Sequence, residues 1–259
     1  MLHVTPAFEI LDHGVSAPIG SKWIPCHMIF DVKMDFTRKA RFVAGGHVTE
    51  PPTSINYSSV VARDSVRLAF LIASLNDLTI LSADIGNAYL NAYTTERVHT
   101  TCGIEFGQEH KGKIPVIRRA LYGLKSSGAA WRSTFASTLQ DLGFKASLAD
   151  PDVWISKDYK RKGTTLINGE LHKGEAYYKY IFVYVDDILV LAEHPEDIIK
   201  TIAKSYRLKE DSIGEPKTYL GAQIKRHTLQ DNPTKQVWAI SAEKYIKEAL
   251  RNVEMIWLK

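Results

Sequence analysis

The chain has 259 residues of ordinary globular composition, 45% hydrophobic and 24% charged, and its 33 Lys and Arg against 29 Asp and Glu leave a net charge of only +4, too mild a tilt to argue by itself for a nucleic-acid partner. Two cysteines, Cys26 and Cys102, stand far apart in no CxxC spacing, which argues against a disulfide framework or a cysteine zinc site and favours a reducing compartment. No basic segment leads into an apolar one at the N-terminus, and the longest apolar stretch, Tyr180 to Ala192, is broken by two aspartates, so a soluble intracellular protein is expected, with neither signal peptide nor membrane span.

Residues 1–20 carry Pro6, Gly14, Pro18 and Gly20 without periodicity and read as a tail or linker. From Lys22 to Val48 two strand-like runs flank a polar turn near Asp35 to Arg38, the pattern of a hairpin. Asp64 to Asn76 predicts a helix with a wide apolar face, capped by Asp64 or Ser65. Thr79 to Ile85, TILSADI, predicts a buried strand ending in a carboxylate. Ala130 to Leu142 predicts a helix stopped by Gly143. The polar, basic segment 156–179 reads as a solvated surface loop. Tyr180 to Leu191 predicts two apolar strands with Asp186-Asp187 between them. A helix over Pro195 to Tyr206, a strand over Lys217 to Arg226 and a helix over Ala242 to Val253 complete the order. Strands and helices do not alternate strictly, so the class is α+β.

The carboxylates carry the chemistry. YVDD, Tyr184 to Asp187, sits between YIFVYV and ILVLA, which are of strand composition. Two adjacent carboxylates there repel and lose hydration, which raises their proton affinity unless a divalent cation supplies the missing charge. The dipeptide alone leaves a second reading open, two aspartates at a solvated hairpin tip. Asp84 adds a third carboxylate at a strand end. If its strand lies beside the YVDD hairpin, the set suits two-metal phosphoryl transfer.

In order along the chain, SKWIPCHMIFDVK, RKARFVAGGH, YSSVVARDSVRLAFLIAS, SADIGNAYLNA, RRALYGLKSSGAAW, LGFKASLADPDVWI, YIFVYVDDILVLA, GEPKTYLGAQI and SAEKYIKEAL resemble the reverse transcriptase of copia-type long-terminal-repeat retrotransposons. The resemblance runs from about Ser21 to Val253. It implies a right-hand polymerase: an antiparallel palm sheet with helices on one face, fingers interleaved with it over 21–255, and an incomplete thumb. The implied activity is RNA-directed DNA polymerisation. The implied partners are an RNA template, a DNA or tRNA primer, the RNA/DNA hybrid and dNTPs, with two Mg²⁺ ions, or Mn²⁺ in their place, as cofactor. Integrase and ribonuclease H parts are expected to be missing from the chain, and cytoplasmic particles are the expected location.

Residue by residue, the resemblance makes Asp84, Asp186 and Asp187 the catalytic metal ligands, with the carbonyl of Ile85 as a further ligand. Tyr89 becomes a steric gate against a ribose 2′-hydroxyl. Lys39 and Arg41 become triphosphate contacts of the fingers, with Lys22 and Lys33 as weaker extensions of a basic strip. Gly123 and Lys125 of LYGLK line the nucleotide and template side, Gly123 through close backbone approach. Leu220 and Gly221 match the primer grip. Read without the motif, Tyr89 and Trp131 are core aromatics and Gly221 is a bulge glycine. The chain departs from the family's usual pattern after Lys125, where Ser126-Ser127-Gly128-Ala129-Ala130 replaces a Gln- and Arg-containing run. No GxxxxGK[ST], HExxH or GxSxG motif is present. The alternative from another class is a catalytically inactive transposon-derived remnant that only binds nucleic acid.

Overall fold

The computed structural model describes residues 7–32, 36–49, 58–162, 165–167, 170–172, 174–233 and 236–257. In chain order the elements are β1 (Phe8–Ile10), β2 (Lys22–Trp23), β3 (Cys26–Val32), β4 (Arg38–Ala44), α1 (Arg63–Asn76), β5 (Thr79–Asp84), β6 (Val98–His99), β7 (Pro115–Ile117), α2 (Ser127–Asp141), β8 (Lys145–Ala146), β9 (Val153–Tyr159), β10 (Thr165–Ile167), β11 (Glu170–His172), β12 (Ala176–Tyr184), β13 (Asp187–Ala192), α3 (Pro195–Ile202), β14 (Thr218–Tyr219), β15 (Ala222–Thr228), β16 (Gln236–Ser241) and α4 (Glu243–Trp257). The class is α+β, as the sequence predicts. The chain divides into two compact units, one from Met1–Ser59 and Asn87–Leu142, the other from Val60–Gly86 and Gly143–Lys259.

The first unit holds the β3–β4 hairpin, a four-stranded sheet in the order β1-β7-β6-β2, and α2. Its core gathers Ile24, Ala44, Val98, Ile117, Leu121 and Leu124. α2 buries Trp131, Phe135 and Leu139, spaced four apart and so on one face. Trp131 stacks on Phe135 with ring centroids 5.2 Å apart. The helix starts three residues before the apolar pattern does. Within the stretch that reads as a tail, Phe8–Ile10 form a strand paired with β7. Phe8 is wedged edge-on against Phe42 and Phe106. Three residues are too few to show a period, so the strand is invisible before folding.

The second unit is built on a five-stranded antiparallel sheet in the order β5-β13-β12-β9-β8. Ile188, Leu189, Val190 and Leu191 are all fully buried. Successive strand residues point to opposite faces, so β13 is covered on both. Each such side chain contributes on the order of 1.5–3 kcal/mol of burial. α1 and α3 both pack on β5 and β13. α1 buries Val66, Ala69, Phe70 and Ala73 at helical spacing. α3 starts on Pro195 at its first turn and buries Ile198, Ile199 and Ile202. It ends at Ile202, short of the expected Tyr206, where the backbone passes into tight turns.

Three further expectations for this unit change. Neither Asp64 nor Ser65 caps α1. The Asp150 carboxylate does so from a distant loop, with Oδ2 accepting from the Ala62 N–H at 2.9 Å and from Ser65 Oγ at 2.6 Å. The segment 156–179 is not a plain loop. β9 and β12 run paired from Val153↔Phe182 out to Tyr159↔Ala176, and β10 pairs β11 beyond them. Its strands are polar because their outer part is solvated, with Lys179 against Asp158 at 2.9 Å and Lys160 against Glu175 at 3.2 Å. Lys217 to Arg226 is two strands, β14 and β15, not one. Leu220 and Gly221 form the two-residue turn between them, with φ of 50° and 77°.

Candidate active site

The site is assembled by strand register in the second unit. β13 pairs β5 so that Asp187 stands opposite Asp84. The Ile85 N–H donates to the Asp186 carbonyl at 2.8 Å, which makes Asp84 and Asp187 a non-hydrogen-bonded pair, the closer of the two kinds. Their side chains share a face, with Cβ atoms roughly 4.5–5.5 Å apart in pairs of this type. Val185 and Asp186 form the turn from β12 to β13, closed by the Tyr184↔Asp187 pair. Val185 has φ 55°, a conformation that a β-branched residue adopts only under constraint. The structure thus brings Asp84 and Asp187 face to face and sets Asp186 beside them at the hairpin tip. Among the described residues, no group of three or more His, Cys, Asp or Glu side chains is gathered closely enough to hold a metal as it stands.

Electrostatics mark the pair. Burial, then the neighbouring charges of Asp186 and Asp84, push the Asp187 carboxyl up to about 6, against an opposing pull from Lys209. The Lys209 ammonium is hydrogen-bonded to Asp84 Oδ2. Asp84 Oδ1 is buried with no hydrogen-bond partner. An orphaned buried acceptor, a reluctant carboxylate and a donor set made of hard oxygens fit a divalent cation. Asp84, Asp187 and Asp186 are the side chains that would hold one. Ile85 packs its aliphatic side chain fully into the core, and its backbone carbonyl is the one group it could offer a cation.

Lys209, Ser212 and Tyr219 escape sequence reasoning. The Asp84 N–H donates to Ser212 Oγ at 2.8 Å, and the Lys209 N–H to the Asp84 carbonyl at 3.0 Å. Tyr219 is buried, with its hydroxyl 3.4 Å from the Phe182 carbonyl and 3.5 Å from that of Asp187. Burial, and then the charges of Asp187 and Tyr184, hold its phenol well above the ordinary tyrosine range. Nothing local signals these roles. A lysine in the run LKED reads as solvated surface.

A family model described as reverse transcriptase (RNA-dependent DNA polymerase) matches residues 10–257. The chain belongs to the reverse transcriptase family. It is 26% identical over 254 residues to the retrovirus-related Pol polyprotein from transposon TNT 1-94 of Nicotiana tabacum, covering 93% of this chain and 17% of that protein. It is 28% identical over 225 residues to the retrovirus-related Pol polyprotein from transposon RE1 of Arabidopsis thaliana, covering 85% of this chain and 14% of that protein. The chain therefore spans less than a fifth of the length of these relatives. No helix among the described residues is long and apolar enough to cross a membrane.

The other residues expected from the sequence are divided between the two units. In the first unit, Lys39 and Arg41 share one face of β4, and Arg41 sits over the Tyr122 ring at 5.9 Å. Tyr89 lies in a short 3-10 turn, Ala88–Asn91, its ring 4.9 Å from that of Tyr122. Gly123 has φ 92°, and a Cβ there would fall 2.0 Å from the Ala44 carbonyl oxygen. Its missing side chain thus serves an internal approach to β4. Lys125 Nζ donates to the Thr49 carbonyl, and Lys22 Nζ to the Val48 carbonyl at 2.7 Å, so both ammonium groups brace the loop after β4. Lys33 lies outside the described residues. In the second unit, Leu220 and Gly221 line a cavity of about 420 Å³ together with Arg63, Phe70, Tyr219 and Tyr245.

Proposed function

We propose that this chain is an RNA-directed DNA polymerase of a copia-type retrotransposon, joining dNTPs to a primer 3′-hydroxyl on an RNA template. The observation that carries the reading is the cross-strand Asp84–Asp187 pair with Asp186 at the adjoining turn. Two carboxylates set opposite each other in a sheet are mutually destabilising. A fold that keeps them in register, half-buried, has a use for their charge. Asp84, Asp187 and, from the adjoining turn, Asp186 would hold the metals. The chemistry that a pair of Mg²⁺ ions supplies in such a site is activation of the primer hydroxyl and neutralisation of phosphate charge. In this reading the second unit carries the palm and the first contains the fingers. Lys39 and Arg41 contact the triphosphate, Tyr89 excludes the ribose 2′-hydroxyl, and Leu220–Gly221 supports the primer. Lys125, whose ammonium also donates to the Thr49 carbonyl, lines the nucleotide and template side with its remaining donors.

Primer extension on an RNA template, with and without Mg²⁺, tests the proposal. Incorporation is expected to require the metal. Asp186→Asn is expected to reduce it by more than the roughly 10–100-fold that loss of a group merely supporting a metal ligand costs. Undiminished extension by that variant removes the assigned role. Salt-sensitive binding of primer–template without incorporation by the unaltered chain is instead the result a binding-only remnant gives.

A further inference from the structure

We propose that Lys209 is a built-in counter-cation for the aspartate pair: its ammonium holds Asp84 Oδ2 in the metal-free chain and is exchanged for a divalent ion when one binds. The inference rests on the metal-binding reading above and adds a residue which that reading does not use.

The backbone around Lys209 is fastened to β5 on both sides. The Gly86 N–H donates to the Arg207 carbonyl at 2.8 Å and the Lys209 N–H to the Asp84 carbonyl at 3.0 Å. Ser82 and Gly214 exchange hydrogen bonds of 2.8 and 3.1 Å further along. The Cα of Lys209 is therefore fixed beside the carboxylate. Its side chain is not: it is 52% exposed, against 21% for Asp84, and a four-carbon stem leaves the ammonium free to swing out without moving the strand. The ammonium also solves the electrostatic problem only in part. It satisfies one Asp84 oxygen and leaves Oδ1 buried without a partner. One positive charge serves an aspartate pair that the strand register sets opposite each other. A divalent ion supplies more charge and coordinates oxygens that a single ammonium does not reach. Lys209 and the ion then compete for Asp84.

The test uses Mn²⁺ as a paramagnetic probe on the EDTA-stripped chain, with bound ion read by electron paramagnetic resonance and stability by thermal unfolding. Lys209→Met is expected to lower the metal-free midpoint and to tighten Mn²⁺ binding about fivefold, the scale of one favourable ion pair. Lys209→Arg is expected to stay near the unaltered chain on both counts. Asp84→Asn defines the site. A lower midpoint in Lys209→Met with unchanged or weaker Mn²⁺ binding overturns the exchange and leaves the metal reading standing. Absence of any Asp84-dependent Mn²⁺ site in the unaltered chain overturns both. A measurement without substitution guards against a misfolded variant. The Lys209 ammonium signal in ¹⁵N NMR is expected to lose its protection from solvent exchange on saturation with Mg²⁺, and a signal that stays protected overturns the proposal.

Discussion

Asp84 and Asp187 meet as a non-hydrogen-bonded pair across neighbouring antiparallel strands, one of them held by a lysine and the other displaced far from its ordinary proton affinity. The pair makes the metal-free chain sensitive to acidity in a defined direction. The folded-state value for Asp187, about 6, lies above the roughly 3.9 of an unfolded aspartate. The folded chain therefore binds the proton more tightly. The resulting stability is fully present below about pH 4 and is lost as pH rises through about 6. Asp187→Asn should abolish that loss. With partial exposure discounted, the gain at pH 7.5 is about 1 kcal/mol, or about 2–4 °C in a domain of this size. Thermal unfolding in EDTA at pH 5 and 7.5 checks this; equal pH slopes for the two chains would remove the assigned cause.

Asp150 is expected to matter to α1 although 85 residues separate it from Ser65. It satisfies the N–H of Ala62, the N-cap residue, the donor that the Glu or Gln of a capping box usually reaches. Asp150→Ala should cost about 1–2 kcal/mol, seen as a lower urea midpoint. An unchanged midpoint would show that solvent replaces the carboxylate without loss.

Gly123 and Gly143 separate two penalties. Both have positive φ, 92° and 81°, but a Cβ on Gly123 collides with the Ala44 carbonyl, whereas one on Gly143 meets nothing within 4 Å. Gly143→Ala should cost about 1 kcal/mol, the left-handed conformation alone. Gly123→Ala should cost more than about 4 kcal/mol, the range reserved for outright steric conflict. Similar denaturation midpoints for the two variants would contradict the close approach to β4.

The core of the site is legible in the sequence because its physics is local. Apolar strands rich in β-branched residues, each ending in a carboxylate, announce a buried hairpin and a partner strand, and the register between them places Asp84 against Asp187. Lys209 and Ser212 are not legible, because their roles exist only once the stretch after α3 lies along β5. The Asp150 cap is hidden for the same reason, and Asp64 and Ser65 mislead by standing where a local cap would stand. The outer part of the β9–β12 hairpin is hidden because its side chains are mostly polar and partly exposed, and Tyr177 is the one buried residue among its described positions from 174 to 179, too few to show an alternation. Gly123 is marked out by its motif, but the close approach of its Cα to the Ala44 carbonyl exists only in the folded chain.

The pairing of β5 with β13 has a consequence for which sequence changes this chain can absorb. Side chains alternate along a strand, so inserting or deleting one residue between Ile80 and Asp84 would carry the carboxylate through to the opposite surface of the sheet. Single exchanges among the surrounding aliphatics leave the alignment alone. Length is therefore the quantity held fixed between the start of that strand and its terminal aspartate, and a one-codon indel there would be as disabling as loss of the acid itself.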